Sequence, residues 1–376
     1  MRICHLIYDD VDNPWLGGGG AYRARQMYKR LSERHEITLI TGSYPGCHAE
    51  ENTDGIRVLR VGSPSTYALS RLTYSIKAPR VLKQLEWDVW VNEFSAYSPL
   101  RIPRCLRQKG VLFFQHFMGG LAIKKRPLAG PMALWAEHHV LGAYPHILTV
   151  SPSVQTRIRQ RVAKTVPVDC VFNGVDSVYF DGKPTEESFI LYLGRIDIYT
   201  KGIDTLLEAF QKIAYEWPNV FLKIAGGGEE NQRKHLERLI RQHGLGRKVK
   251  VLGRVSDVEK RTLLASALFV CMPSRYEGWG MVAIEANASG TAVVASAIDG
   301  LRDAVQDGQT GLLVPSGDSE VLAARMGTLL SDFQLRQSLG ERGRKYARRF
   351  SWDQLAREKE EILITASANA LSKKNM

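Results

Sequence analysis

The chain has 376 residues, 44% of them hydrophobic and 24% charged; this profile excludes a disordered polypeptide, and the length predicts two or three domains rather than one ordinary core. Its net charge of +12 is uneven: residues 1–175 hold 23 Lys and Arg against 13 Asp and Glu, and the remainder holds 28 against 26. A basic first half points to an acidic partner, such as anionic lipid or a phosphorylated acceptor, or simply to a soluble basic surface, while the lack of basic stretches interleaved with aromatics sets nucleic acid aside.

The opening run Ile3–Tyr8 predicts a buried strand; it is too short for a signal peptide and meets Asp9-Asp10 at once. The glycine cluster Gly17–Gly20 follows, then a helical pattern over Ala21–Glu33 and strands at Glu36–Thr41 and Gly55–Val61. Short apolar runs recur at Asp88–Val91, Gly110–Gln115 and His146–Val150, while 62–80 and 117–131 read as loops. Pro167 and Asn173-Gly174 interrupt the pattern and predict a domain boundary near Val166–Asp176. Beyond it the rhythm is clearer. Strands at Phe189–Leu193, Val220–Ala225, Val249–Leu252, Leu268–Met272, Ala292–Ala295 and Gly311–Val314 alternate with helices over Asp204–Trp217, Glu229–His243 and Asp257–Ser266. Strand, loop, helix, strand is the grammar of an α/β protein with parallel sheets, and each strand hands over to glycine or a polar loop at its carboxyl end, the edge where such sheets bind ligands. No apolar run reaches the ~18 residues that span a bilayer. Cys4, Cys47, Cys105, Cys170 and Cys271 are scattered and odd in number, which argues against a disulfide framework or structural zinc and suits a cytoplasmic chain with reduced thiols.

The most informative stretch is Ser274 to Ala286, which follows an apolar strand and leads into a helix ending near Ser289-Gly290. Gly278 and Gly280 let backbone approach a ligand, and the helix start offers unpaired N–H groups and a positive dipole end, a suitable seat for phosphate. Glu277 falls in the loop and Glu285 one to two turns into the helix. A sugar nucleotide carries hydroxyl donors on both sides of its diphosphate, and a carboxylate is an acceptor for each. By spacing alone, a surface Glu and a first-turn helix-stabilising Glu remain an equal alternative.

The neighbouring segments bear on that choice. Glu277-Gly278-Trp279-Gly280-Met281 with Glu285-Ala286, together with Leu193-Gly194-Arg195-Ile196, Lys201-Gly202, Asn173-Gly174-Val175-Asp176 and Gly300–Pro315, resemble the motifs of the family 4 glycosyltransferases, closely over about 170–350 and less so before. The resemblance implies an α/β GT-B fold: two facing Rossmann-like domains with a cleft between them, here 1–170 on the acceptor side, completed by a C-terminal helix over 352–370, and 171–351 on the donor side. It further implies retaining transfer from a nucleotide-diphosphate sugar, with Glu277, Arg195, Lys201 and His116 as catalytic residues. Arg195 and Lys201 would hold the pyrophosphate, because fixed cations stabilise the charge that develops on that leaving group. Donor contacts would come from Gly18 and Gly19 in the first domain, and from Arg254, Val255, Gly278, Trp279, Gly280, Met281 and Glu285 in the second. Asp10-Val11-Asp12 has the form of a metal-binding Asp-x-Asp, but that signature belongs to a different fold, so no metal and no cofactor beyond the donor substrate is expected. Partners on this view are a UDP- or GDP-sugar and a glycan, lipid-linked or small-molecule acceptor, with no nucleic acid. Lys124-Lys125-Arg126 beside Leu121, Ile123 and Leu128 suggests peripheral contact with an anionic membrane. The competing readings are a sugar-nucleotide epimerase on the same fold and a non-catalytic binding subunit.

Overall fold

The computed structural model describes residues 1–15, 18–95, 102–120, 123, 130–182 and 184–372. The chain folds as two compact units, residues 1–174 with 352–376, and residues 175–351.

The first unit contains β1 (Arg2–Leu6), α1 (Gly19–Leu31), β2 (Glu36–Gly42), β3 (Glu50–Thr53), β4 (Ile56–Val61), α2 (Tyr67–Gln84), β5 (Val89–Glu93), α3 (Arg104–Arg107), β6 (Gly110–Phe114), α4 (Gly130–Leu141), β7 (His146–Thr149), α5 (Pro152–Arg159) and β8 (Val168–Cys170). The sheet order is β3-β4-β2-β1-β5-β6-β7-β8, parallel except for the antiparallel pair of β3 with β4. Strands β5 and β6 are buried on both faces, so they read as continuous apolar runs rather than alternating ones. The 62–80 segment is not the expected loop: Thr66 caps the start of α2 by accepting from the Leu69 amide, and the helix continues past Pro79. That proline, and a weakly amphipathic pattern, hide the helix from a reading by period.

The second unit contains β9 (Phe189–Leu193), α6 (Ile198–Lys201), α7 (Ile203–Ile213), β10 (Phe221–Ala225), α8 (Glu230–Gln242), β11 (Val249–Gly253), α9 (Asp257–Ser266), β12 (Phe269–Met272), α10 (Met281–Ala288), β13 (Ala292–Ser296), α11 (Leu301–Ala304), β14 (Gly311–Val314), α12 (Ser319–Ser331) and α13 (Phe333–Ala347). Its six strands are all parallel, in the order β11-β10-β9-β12-β13-β14. Leu206, Leu207, Phe210 and Ile213 of α7 enter its core with Ile190, Ile224 and Phe269, the 3.6-residue period meeting the two-residue period of the strands.

The last helix, α14 (Trp352–Ser372), belongs to the first unit. It lies on α1 through Arg30–Asp353 at 2.5 Å and on the turn after α1 through His35–Glu360 at 2.6 Å. Its first residue explains Gly174, where a Cβ would come within 2.5 Å of the Trp352 ring. Among the described residues no helix is long and apolar enough to cross a membrane.

Candidate active site

In an open parallel sheet the strand order reverses at one point, and the loops leaving the two strands there diverge to leave a crevice at the carboxyl edge. In the second unit that point lies between β9 and β12. The loop after β9 carries Arg195 and Lys201, and the loop after β12 carries Glu277 to Gly280.

Glycine and one arginine draw these loops together. Asp197 caps α6 by accepting from the Thr200 amide at 3.1 Å, and Gly202 ends it with φ +64°. A Cβ at Gly202 would lie 2.0 Å from the Pro273 carbonyl oxygen, so only glycine lets α6 approach the exit of β12 so closely. Arg275 completes the lacing: Nη1 donates to the Tyr199 carbonyl at 2.9 Å and to Asp204 at 2.7 Å, and Nη2 donates to Thr205 at 2.9 Å. As a result Lys201 Nζ donates to Glu277 Oε2 at 2.5 Å, both side chains being about one-fifth exposed at 19%. An ammonium has three donors, so this contact leaves Lys201 able to meet an anion.

Arg195 is the more open cation. Its side chain is 58% exposed, with Nη2 3.9 Å from the Asp197 carboxylate. Its backbone is fixed by Tyr192, whose hydroxyl donates to the Arg195 carbonyl at 2.8 Å. The Glu277-Gly278 turn is seated on Gly300, where φ is +81° and a Cβ would meet the Gly278 oxygen at 2.5 Å. Gly280 precedes α10 without a side-chain cap; the Met281 amide donates to the Trp279 carbonyl at 2.9 Å, and the amides after it open the helix, where N–H groups lack intrahelical partners. The Trp279 indole is buried and packs edge-on against Phe350 at 5.3 Å, so at this position the loop can offer a ligand its backbone.

Glu285 lies one turn into α10, almost fully buried, and accepts from Lys260 Nζ at 2.6 Å. Its other oxygen, Oε2, has no hydrogen-bond partner among the described residues. Burial pushes the Glu285 carboxyl above its usual range, and Lys260 opposes that shift. Sequence reasoning missed Lys260 and Arg275. A signal for Lys260 did exist: the Ser256-x-x-Glu259 capping box fixes where α9 begins, and hence which face Lys260 occupies. Arg254 and Val255 leave the same edge after β11, and the Arg254 stem lies over Gly227, where a Cβ would come within 2.8 Å of Arg254 Nε.

The remaining expected residues are in the first unit, at the carboxyl edge of its own sheet. Gly18 precedes α1, Gly19 begins it, and His116 follows β6, half-buried. Gly17, Leu121, Leu128 and Lys124-Lys125-Arg126 lie outside the described residues. Gly18 has open space around it; the crowded glycine is Gly20, where a Cβ would sit 3.0 Å from the Gln115 amide nitrogen. Asp10 of the Asp-x-Asp stretch is buried and occupied, since its Oδ2 accepts from Arg60 Nε at 2.8 Å and from Thr41 at 3.1 Å.

Residues 180–346 match the family of glycosyl transferases group 1, and residues 18–174 match the glycosyl transferase 4-like domain. An uncharacterized glycosyltransferase of Methanocaldococcus jannaschii is 30% identical over 367 residues, covering 94% of this chain and 96% of the relative. The chain belongs to the family 4 (group 1) glycosyltransferases. The phosphatidyl-myo-inositol mannosyltransferase of Mycolicibacterium smegmatis is 35% identical to this glycosyltransferase over 202 residues; the match spans 52% of this chain and about half, 51%, of that relative. Sucrose-phosphate synthase from Thermosynechococcus elongatus superimposes with a TM-score of 0.85 at 22% identity, over 98% of this chain and 100% of that one. The glycosyltransferase therefore has the GT-B fold.

Proposed function

We propose that this glycosyltransferase moves a hexosyl or related group from a UDP- or GDP-sugar to an acceptor hydroxyl with retention of configuration, using no metal and no cofactor. The observation that carries the proposal is the Lys201–Glu277 contact at the switch point of the donor-side sheet, beside the uncapped start of α10. Arg195, Lys201 and the α10 amides meet the diphosphate, whose negative charge grows as its bond to the sugar breaks. Glu277 accepts from a sugar hydroxyl. The unpartnered Oε2 of Glu285 is an acceptor for a ribose hydroxyl. The acceptor oxygen attacks the anomeric carbon on the face the diphosphate leaves, and its proton passes to the departing phosphate oxygen, so no side chain need act as nucleophile. The family resemblance adds Gly18 and Gly19 as phosphate contacts and His116 as a sugar contact.

The acceptor we favour is lipid-borne or part of a cell-surface glycan, in keeping with the mannosyltransferase relative. The peripheral contact we propose is with an anionic membrane at the cytoplasmic face: helix α4 supplies exposed apolar side chains, Met132 at 45% and Trp135 at 59%, and the net positive charge of residues 1–175 supplies the attraction to anionic lipid. Co-sedimentation with phosphatidylglycerol vesicles, against phosphatidylcholine vesicles, tests the contact.

A panel of UDP- and GDP-sugars scored by thermal stabilisation identifies the donor, since a ligand at 100 times its Kd adds about 2.7 kcal/mol. Nuclear magnetic resonance of the product then reads the anomeric configuration. No stabilisation by any nucleotide sugar, or an inverted product, would overturn the proposal.

A further inference from the structure

The first sheet has a switch point of its own, between β1 and β5. Glu93, the last residue of β5, lies there with only 7% of its side chain exposed. Its Oε2 accepts from Arg23 Nη2 of α1 at 2.5 Å and lies 3.1 Å from Nε2 of His5 in β1. Its Oε1 accepts from Nε2 of Gln115, the residue before His116. Arg23 and His5 are completely buried, and the Arg23 guanidinium lies 3.8 Å from the centre of the Phe113 ring. The glycine turn rests on the same group: a methyl built on Gly20 would lie 3.0 Å from the Gln115 amide nitrogen and 3.7 Å from Glu93 Oε1. One carboxylate therefore joins β1, α1, the exit of β6 and the turn that opens α1.

A buried ion pair is a poor device for stability alone, because apolar residues of similar volume often serve as well or better. Here the pair stands under the two features of this unit assigned to the donor, and that location suggests what it does. We propose that Glu93 is a positioning residue for sugar transfer: clamped by Arg23, it fixes the Gln115 amide and with it the segment that presents His116 and the seat of the Gly18–Gly20 turn. The inference rests on the reading that His116 and this turn meet the transferred sugar and its phosphate. Glu93 touches neither; it acts through Gln115. Burial pushes the Glu93 carboxyl up, yet Arg23 and His5 hold it down at about 2, so the clamp is charged at neutral pH.

Positioning within a reactive complex is sensitive: a displacement of about 1 Å lowers rate ~100-fold. The test is steady-state kinetics of the full chain with its nucleotide sugar and acceptor, beside thermal unfolding. Glu93→Gln removes the charge at constant shape, and kcat should fall about 10- to 100-fold while the donor KM moves less than about threefold. Gln115→Ala, which leaves the Glu93–Arg23 pair intact, should lower kcat in the same way and covers the case in which Glu93→Gln fails to fold. The double variant Glu93→Gln/Gln115→Glu returns a carboxylate to the same hydrogen-bonded pair and should recover part of kcat. Lys359→Met serves as the control, since Lys359 is buried 3.8 Å above the Tyr28 ring but makes no contact with Gln115. An unchanged kcat in Glu93→Gln and Gln115→Ala, in a chain where His116→Ala lowers it, would overturn the inference. So would equal losses of kcat and melting temperature in Glu93→Gln and Lys359→Met. If His116→Ala itself leaves transfer unchanged, the reading on which the inference rests is what fails.

Discussion

Both units of this glycosyltransferase put an acid and a base together where their strand order reverses, yet the two pairs live in opposite environments. Lys201 and Glu277 are each 19% exposed, whereas Arg23 is sealed and Glu93 nearly so. An accessible pair can exchange partners with a ligand and is worth little to the fold. A sealed pair cannot change partners without leaving a charge unpaired in a dry interior, so it holds its surroundings in place. On the proposed reading, the same charge chemistry serves contact in one unit and positioning in the other.

Truncating each pair separates these roles. Lys201→Ala should lower transfer by about 10²–10³-fold, the usual loss when a preorganised charge is removed from developing negative charge, with little change in melting temperature. Glu93→Ala leaves Arg23 buried without its partner and should cost about 3–5 kcal/mol, read by urea denaturation. If Lys201→Ala destabilised as much as Glu93→Ala, the contrast would collapse.

The glycines sharpen the comparison at the next level. Gly202→Ala must hold φ at +64° with its Cβ 2.0 Å from a carbonyl oxygen, and the backbone strain alone costs about 1–3 kcal/mol. Gly18 has φ −96° and open space, so Gly18→Ala should cost under about 1 kcal/mol. Denaturation midpoints of the two variants check the difference.

Protonation distinguishes the units in sign. The Glu93 carboxyl is held at about 2 in the fold, below its unfolded value of ~4.3. The unfolded chain therefore binds more protons as pH falls, and the stability Glu93 contributes is complete above about pH 4.3 and lost toward pH 2. Glu285 is raised by burial, so acid relieves a penalty on the fold while removing an acceptor from the donor site. Glu93→Gln should flatten the acid limb of stability. Lys260→Met takes away the cation that opposes the Glu285 shift and should move the acid loss of donor binding to higher pH, measured by donor titration across pH.

The smallest expected effect concerns Lys359, whose burial lowers its pKa well below the ordinary value. The unfolded chain then binds the extra proton, so this lysine costs stability at neutral pH and less as pH rises. Lys359→Met should raise the melting temperature by a few degrees, because it removes a buried amine whose Nζ has no hydrogen-bond partner among the described residues.

Much of the fold was legible because parallel strands buried on both faces are written as short apolar runs, as in Phe189–Leu193 and Gly110–Phe114. Part of what escaped lies at the edges, and helices α12 and α13 escaped as well. Strand β3 reads Glu-Glu-Asn-Thr and pairs antiparallel at the rim, and β8 is three residues long; neither needs an apolar signature there. Helix α2 was concealed by Pro79. In the candidate site, the motif residues were visible through glycine spacing and family resemblance. Of their supports, Arg275 and Glu93 carry no local signal of their partners, and the capping box at Ser256 fixes only the face that Lys260 occupies. The inward turn of Trp279 toward Phe350 was invisible for the same reason.

By itself the sequence determined where strands end, which ends carry glycine, and which charged residues stand beside them, because these are matters of backbone freedom and hydrophobic period over a few residues. Only the tertiary structure decided which charges meet: Lys201 with Glu277 across 76 positions, Arg23 with Glu93 across 70, Lys260 with Glu285 across 25. Strand order chooses those partners, and burial then decides whether a pair stays open to a ligand or is sealed to hold its neighbours in place.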